Sequence, residues 1–109
     1  LGDRQMAVGP ILLDQDTFQV TVAGQALKLT PNEFALLKAL MAQPNRVFSR
    51  SELLDLVQGY EFEGYDRTID THVKNLRKKM GKALPGQEVI ATVYGIGYKL
   101  TVRSVSTLD

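Results

Sequence analysis

The sequence predicts an α+β domain: a small antiparallel sheet, then three helices, then a β-hairpin. Three observations carry that prediction. Residues 6–29 hold short apolar runs broken by turn residues, at a spacing too tight for helices. Two capping boxes follow, Thr30-Pro31-Asn32-Glu33 and Ser49-Arg50-Ser51-Glu52, each opening a helix. Finally, two β-rich runs within 89–102 flank the turn Tyr94-Gly95-Ile96-Gly97. A chain of 109 residues is one domain by length and large enough for a real core.

Residues 1–5 are polar and read as a linker remnant or frayed end, with the domain spanning 6–102 and a tail at 103–109. Extended segments are expected at 6–8, 11–14, 17–22 and 26–29, giving a four-stranded antiparallel sheet. In the third, Phe18, Val20 and Val22 alternate with Thr17, Gln19 and Thr21, the period of a half-buried strand. Thr30 is placed to cap the first helix, with Pro31 at its first position and Glu33 closing the box. Phe34, Leu37, Leu40 and Met41 recur at helical spacing until Pro44. Val47-Phe48 is a brief apolar extension. The second helix carries Leu53, Leu54, Leu56 and Val57 and is expected to stop by Gly59.

The third helix is predicted over 66–81, with Asp66 as cap and Gly81 as left-handed stop. At about 100° per residue, Ile69, Val73, Leu76 and Met80 form one stripe. Arg67, Thr71, Lys74 and Lys78 lie opposite, with Asn75 beside them. Two helices joined by a short connection, the second of them basic, have the outline of a helix-turn-helix, and the hairpin that follows is a wing.

Net charge is only +1, but its distribution is uneven. Residues 1–65 balance to −3, residues 66–82 to +4, and residues 83–109 to zero. A positive charge gathered on one amphipathic helix is the electrostatic footprint of nucleic-acid binding; the competing reading is a solvated charged face. No apolar run approaches the ~20 residues of a membrane span. The absence of cysteine excludes disulfides and thiolate metal sites, and it suits a reducing cytoplasm.

Thr30-Pro31-x-Glu33-Phe34-x-Leu36-Leu37, Val47-Phe48-Ser49-Arg50-x-x-Leu53-Leu54, Asp66-Arg67-Thr68-Ile69-Asp70-x-His72-Val73-x-x-Leu76-Arg77-Lys78-Lys79 and Val93-Tyr94-Gly95-Ile96-Gly97-Tyr98 stand in that order. Together they resemble the winged-helix effector domain of the OmpR/PhoB type, found in bacterial two-component response regulators that act as transcription factors. The resemblance covers about residues 6–102. It implies a winged helix-turn-helix that binds double-stranded DNA, with helix 66–81 in the major groove and the wing, 89–102, on the backbone or adjacent minor groove. Thr71, Lys74, Asn75 and Lys78 would then face bases or nearby phosphates. Arg67, Thr68 and Arg77 would meet phosphates, and Thr92 and Tyr98 would donate to phosphates from the hairpin. Tyr94, Gly95 and Ile96 would form the wing tip. The family often has a basic residue where this chain has Tyr94, which either packs on sugar or covers core.

The resemblance also implies partners. The loop at about 58–65, with Tyr60, Glu61, Phe62 and Glu63, would touch RNA polymerase; the alternative is that its aromatic side chains fold back over the core. A phosphorelay receiver domain would precede this domain, which would pair weakly, head to tail, on direct-repeat half-sites. No cofactor or metal is expected, and the location would be cytoplasmic.

Chemistry of other kinds finds little support. His72 is the sole histidine, with no thiol and no nearby serine to build a nucleophile or metal set. Asp66 and Asp70 are explained by capping and by an intrahelical pair with Lys74. Gly95 and Gly97 are expected to supply positive φ in the hairpin turn. Lys79 and Lys82 lie off the centre of the exposed face. The rival function is a winged helix that binds protein and not DNA; an enzyme is not expected.

Overall fold

In a computed structural model the structure describes residues 4–57 and 66–101, with 66–68 described as helix backbone only. Four strands, β1 (Gln5–Val8), β2 (Ile11–Asp14), β3 (Gln19–Val22) and β4 (Gln25–Leu27), form an antiparallel sheet in sequential order. Its pairing sets Leu13 opposite Val20 and Ile11 opposite Val22, and all four are buried. Cross-strand apolar pairs of this kind fix the register, since a one-residue slip would turn them all to solvent.

Phe18 departs from the expected strand. It lies in the β2–β3 turn at φ 58 and is 61% exposed. Asp14 explains why the turn begins early. Its carboxylate accepts from the backbone N–H groups of Asp16 and Thr17, which draws the chain out of the ladder. The Phe18 ring still reaches that of Phe34, with centroids 4.9 Å apart.

Both capping boxes form as the sequence requires. α1 (Pro31–Ala42) starts after Thr30, whose hydroxyl accepts from Glu33 N–H while Glu33 accepts from Thr30 N–H. α2 (Arg50–Leu56) starts after Ser49 with the same exchange through Glu52. Leu53 and Val57 are buried, but Leu56 is exposed: it falls on the side of α2 turned from the core. Gly59, expected as the stop, lies outside the described residues, and α2 has already ended at Leu56.

α3 runs Asp66–Ala83, so Asp66 opens the helix and does not precede it as a cap. Gly81 does not end it. The helix continues because Leu84 N–H bonds the carbonyl of Met80 and the Leu84 side chain is buried. The stop comes at Pro85-Gly86, with Gly86 at φ +78. Ile69, Val73, Leu76 and Met80 are buried as a stripe against α1 and α2. Covering each contributes about 1.5–3 kcal/mol, which holds the opposite side of α3 outward.

The chain closes with β6 (Ile90–Val93) and β7 (Gly97–Leu100), antiparallel around a turn in which Gly95 has φ +80. The expected extension at 47–48 is a strand, β5 (Phe48–Ser49), and it pairs with β7 to give the order β5-β7-β6. Gly97 is not a positive-φ residue. It faces Ser49, and a Cβ there would sit 1.9 Å from the Phe48 carbonyl oxygen, so glycine is required by the close approach of β5.

Candidate nucleic-acid interface

With its apolar stripe packed inward, α3 turns Thr71, Lys74 and Lys78 to solvent, and Asn75 is half-buried beside them. Lys74 and Lys78 are one turn apart on one face. Among the described residues no ion pair engages either lysine. The expected Asp70–Lys74 pair is not made. Asp70 is taken instead by Arg50 of α2, whose Nε donates to its Oδ1 over 2.7 Å. The outer face therefore keeps the charge that an intrahelical pair would have quenched.

The neighbouring cations of α3 are bound into the fold. Arg77 donates from Nε to the carbonyl of Ile90 at 2.9 Å and from Nη2 to the hydroxyl of Thr92 at 2.6 Å, fastening the helix to β6. Lys79 donates to the Lys28 carbonyl at 2.7 Å and to Glu33 Oε1 at 2.6 Å. Glu33 is 2% exposed, so this carboxylate serves two purposes, closing the α1 cap and receiving a cation from α3. A capping box signals the first purpose. Nothing local in sequence signals the second, because Lys79 lies 46 positions away.

Asp70 is the second junction. Besides Arg50 it accepts the Tyr98 hydroxyl proton at 2.5 Å. Burial works to raise the Asp70 carboxyl, but the hydrogen bonds from Tyr98 and Arg50 and the Arg50 charge outweigh it and leave the value below the ordinary one. The Tyr98 phenol is raised, first by burial and then by its bond to Asp70. The Arg50 and Arg77 guanidinium groups each lie 5.4 Å from the Tyr98 ring centroid. Tyr98 is only 5% exposed and its one hydroxyl proton is spent on Asp70, so it is placed as a brace and not as an outward donor to phosphate. Thr92 differs. Its oxygen accepts from Arg77, which leaves its own proton to give.

At the hairpin tip Tyr94 is 91% exposed and Ile96 is 55% exposed, so Tyr94 does not cover core. The turn is held by Ile96 N–H bonding the Val93 carbonyl at 2.9 Å. The side chains of Arg67 and Thr68 lie outside the described residues, as do Tyr60, Glu61, Phe62 and Glu63. His72 is half-buried beneath the outer face, its Nε2 3.5 Å from the side-chain nitrogen of Asn32.

Comparison with known proteins finds relatives of this chain. The family model described as "Transcriptional regulatory protein, C terminal" matches residues 24–100. The chain is 44% identical over 96 residues to the transcriptional regulatory protein BaeR of Escherichia coli O6:H1, covering 88% of this chain and 40% of that protein. It is 45% identical over 93 residues to the transcriptional regulatory protein SrrA of Staphylococcus aureus strain NCTC 8325, covering 84% of this chain and 39% of that protein. The chain thus spans about two fifths of the length of these curated relatives. Among solved structures, the DNA binding domain of response regulator AdeR, crystallised in complex with an intercistronic region, superposes with a TM-score of 0.79 at 31% identity, covering 89% of this chain and 99% of that one.

Proposed function

The chain belongs to the transcriptional regulatory protein C-terminal family, that of the OmpR/PhoB-type effector domains, and from that membership we propose that it binds double-stranded DNA in a sequence-specific way to control transcription. One observation carries the proposal: α3 presents Lys74 and Lys78 on an outward face whose neighbouring carboxylate, Asp70, is already neutralised by Arg50. A helix of this width enters the major groove, where cationic and amide side chains reach phosphates and base edges. Thr71, Lys74, Asn75 and Lys78 are the base-facing set. Arg67 and Thr68, at the start of the helix, meet phosphates together with Thr92. The AdeR domain, of the same fold, was crystallised with DNA, which supports this docking.

The wing tip at Tyr94, Gly95 and Ile96 lies on sugar and backbone beside the groove. Tyr94 supplies apolar contact where a cation would supply charge. In the longer protein a receiver domain would govern pairing of two such domains, head to tail, on direct repeats, and the loop at 58–65 would meet RNA polymerase.

The test is a titration of the chain against a random-sequence duplex over a range of salt. Affinity that falls steeply and linearly on a logarithmic salt scale is expected, since released counterions drive the binding. No measurable binding at low salt would overturn the proposal in favour of a protein-binding winged helix.

A further inference from the structure

Three elements meet at one carboxylate. Asp70 belongs to α3, Arg50 to α2 and Tyr98 to β7, and their polar atoms are joined at 2.7 and 2.5 Å. From the same helix, nearly two turns on, Arg77 reaches β6 at Ile90 and Thr92. Tyr98 also stands in register with Phe48 on β5 and with Thr92 on β6. The apolar stripe of α3 fixes which side faces inward, but apolar contacts are non-directional and tolerate small rotations of a helix about its axis. Hydrogen bonds that a carboxylate accepts and a guanidinium donates, tying one helix to fixed points on three other elements, do not.

We infer that Asp70, acting with Tyr98 and Arg50, is a positioning residue that sets the rotation of α3 relative to the β6–β7 hairpin, and thereby the aim of Lys74 and Asn75 at base edges. The inference rests on the proposed DNA binding for its consequence, though not for its geometry. Base contacts need donor and acceptor placed to within tenths of an ångström, whereas phosphate attraction tolerates displacement. Loosening the junction therefore costs discrimination before it costs general affinity.

The experiment uses Tyr98→Phe, which keeps the ring and its packing but deletes the hydroxyl proton, and Asp70→Asn as the second variant. Affinity is measured for the duplex recovered by selection from a random pool and for an unselected duplex of equal length. For Tyr98→Phe the selected duplex is expected to bind roughly tenfold less well, as for loss of about one good hydrogen bond, with the unselected duplex little changed. Equal losses on both duplexes would overturn the inference and make Tyr98 a direct phosphate contact. A second measurement needs no DNA: residual dipolar couplings of the free protein report the angle between α3 and the hairpin. Tyr98→Phe is expected to average them, and couplings identical to those of the unaltered chain would overturn the inference. If the unaltered chain binds neither duplex, the DNA-binding proposal fails, and the couplings still decide whether the junction sets the angle.

Discussion

Two pairs of cations on α3 look alike in sequence and behave differently in the fold. Lys74 and Lys78 are exposed and keep their charge toward solvent, whereas Arg77 and Lys79 are hydrogen-bonded to groups on other elements. Lys79 meets a buried carboxylate and is neutralised; Arg77 meets neutral acceptors, so it keeps its field but loses its reach. The lesson is that the +4 balance of residues 66–82 mixes charge offered to a partner with charge that holds the helix in place. Asp70 shows the converse. A carboxylate that would have diminished the outer face is occupied from α2, so Lys74 remains available.

The largest expected effect breaks the inner pair. Glu33→Ala removes an N-cap partner and leaves Lys79 without its carboxylate. Urea unfolding should show a loss of about 2–3 kcal/mol from capping and the charged hydrogen bond together. A loss below about 0.5 kcal/mol, the range of ordinary surface changes, would mean that Lys79 is no more structural than Lys74. On the outer face, Lys74→Ala and Asn75→Ala should leave unfolding unchanged but reduce discrimination between selected and random duplexes by about 1–3 kcal/mol each, if the contacts are bidentate. Equal losses on both duplexes would move these residues from bases to phosphates. Arg77→Ala should cost about 1–2 kcal/mol of stability through its two hydrogen bonds to β6.

The smallest effect concerns pH. The Asp70 carboxyl is held below its ordinary value of 3.8, so folding favours its ionised form. The resulting stability is present above that ordinary value and is lost as pH falls through the depressed folded value. The Tyr98 phenol is raised above 10.0, so its contribution is complete below that value and fades as pH rises through the raised one. Urea midpoints followed into acid should therefore fall less steeply for Asp70→Asn than for the unaltered chain; parallel curves would show that Asp70 gains nothing from Arg50 and Tyr98.

Much of the fold was legible because its signals are local. Both capping boxes, the stripe of Ile69, Val73, Leu76 and Met80, and the hairpin at 90–100 each follow from residues within a few positions of one another. What sequence hid depends on contacts between distant positions. Gly97 reads as a turn glycine until β5 is seen to approach it, and Phe18 reads as a strand residue until Asp14 draws the turn forward. Spacing set Lys79 off the centre of the exposed face, but it could not show that Lys79 and Arg77 are tied down, because their partners, Glu33, Ile90 and Thr92, lie on other elements. Arg50 was visible only as part of a motif; no periodicity links it to Asp70, 20 positions on.

The division of α3 into an outward face that meets DNA and an inward set that holds the helix is tested most directly by lysine reactivity. Acetylation of each lysine, followed by mass spectrometry with and without a bound duplex, reads the faces separately. Lys74 and Lys78 should react readily in the free protein and become protected in the complex, while Lys79 reacts slowly in both. Lys74 and Lys78 staying as reactive with duplex bound as without it would contradict the assignment of that face to DNA.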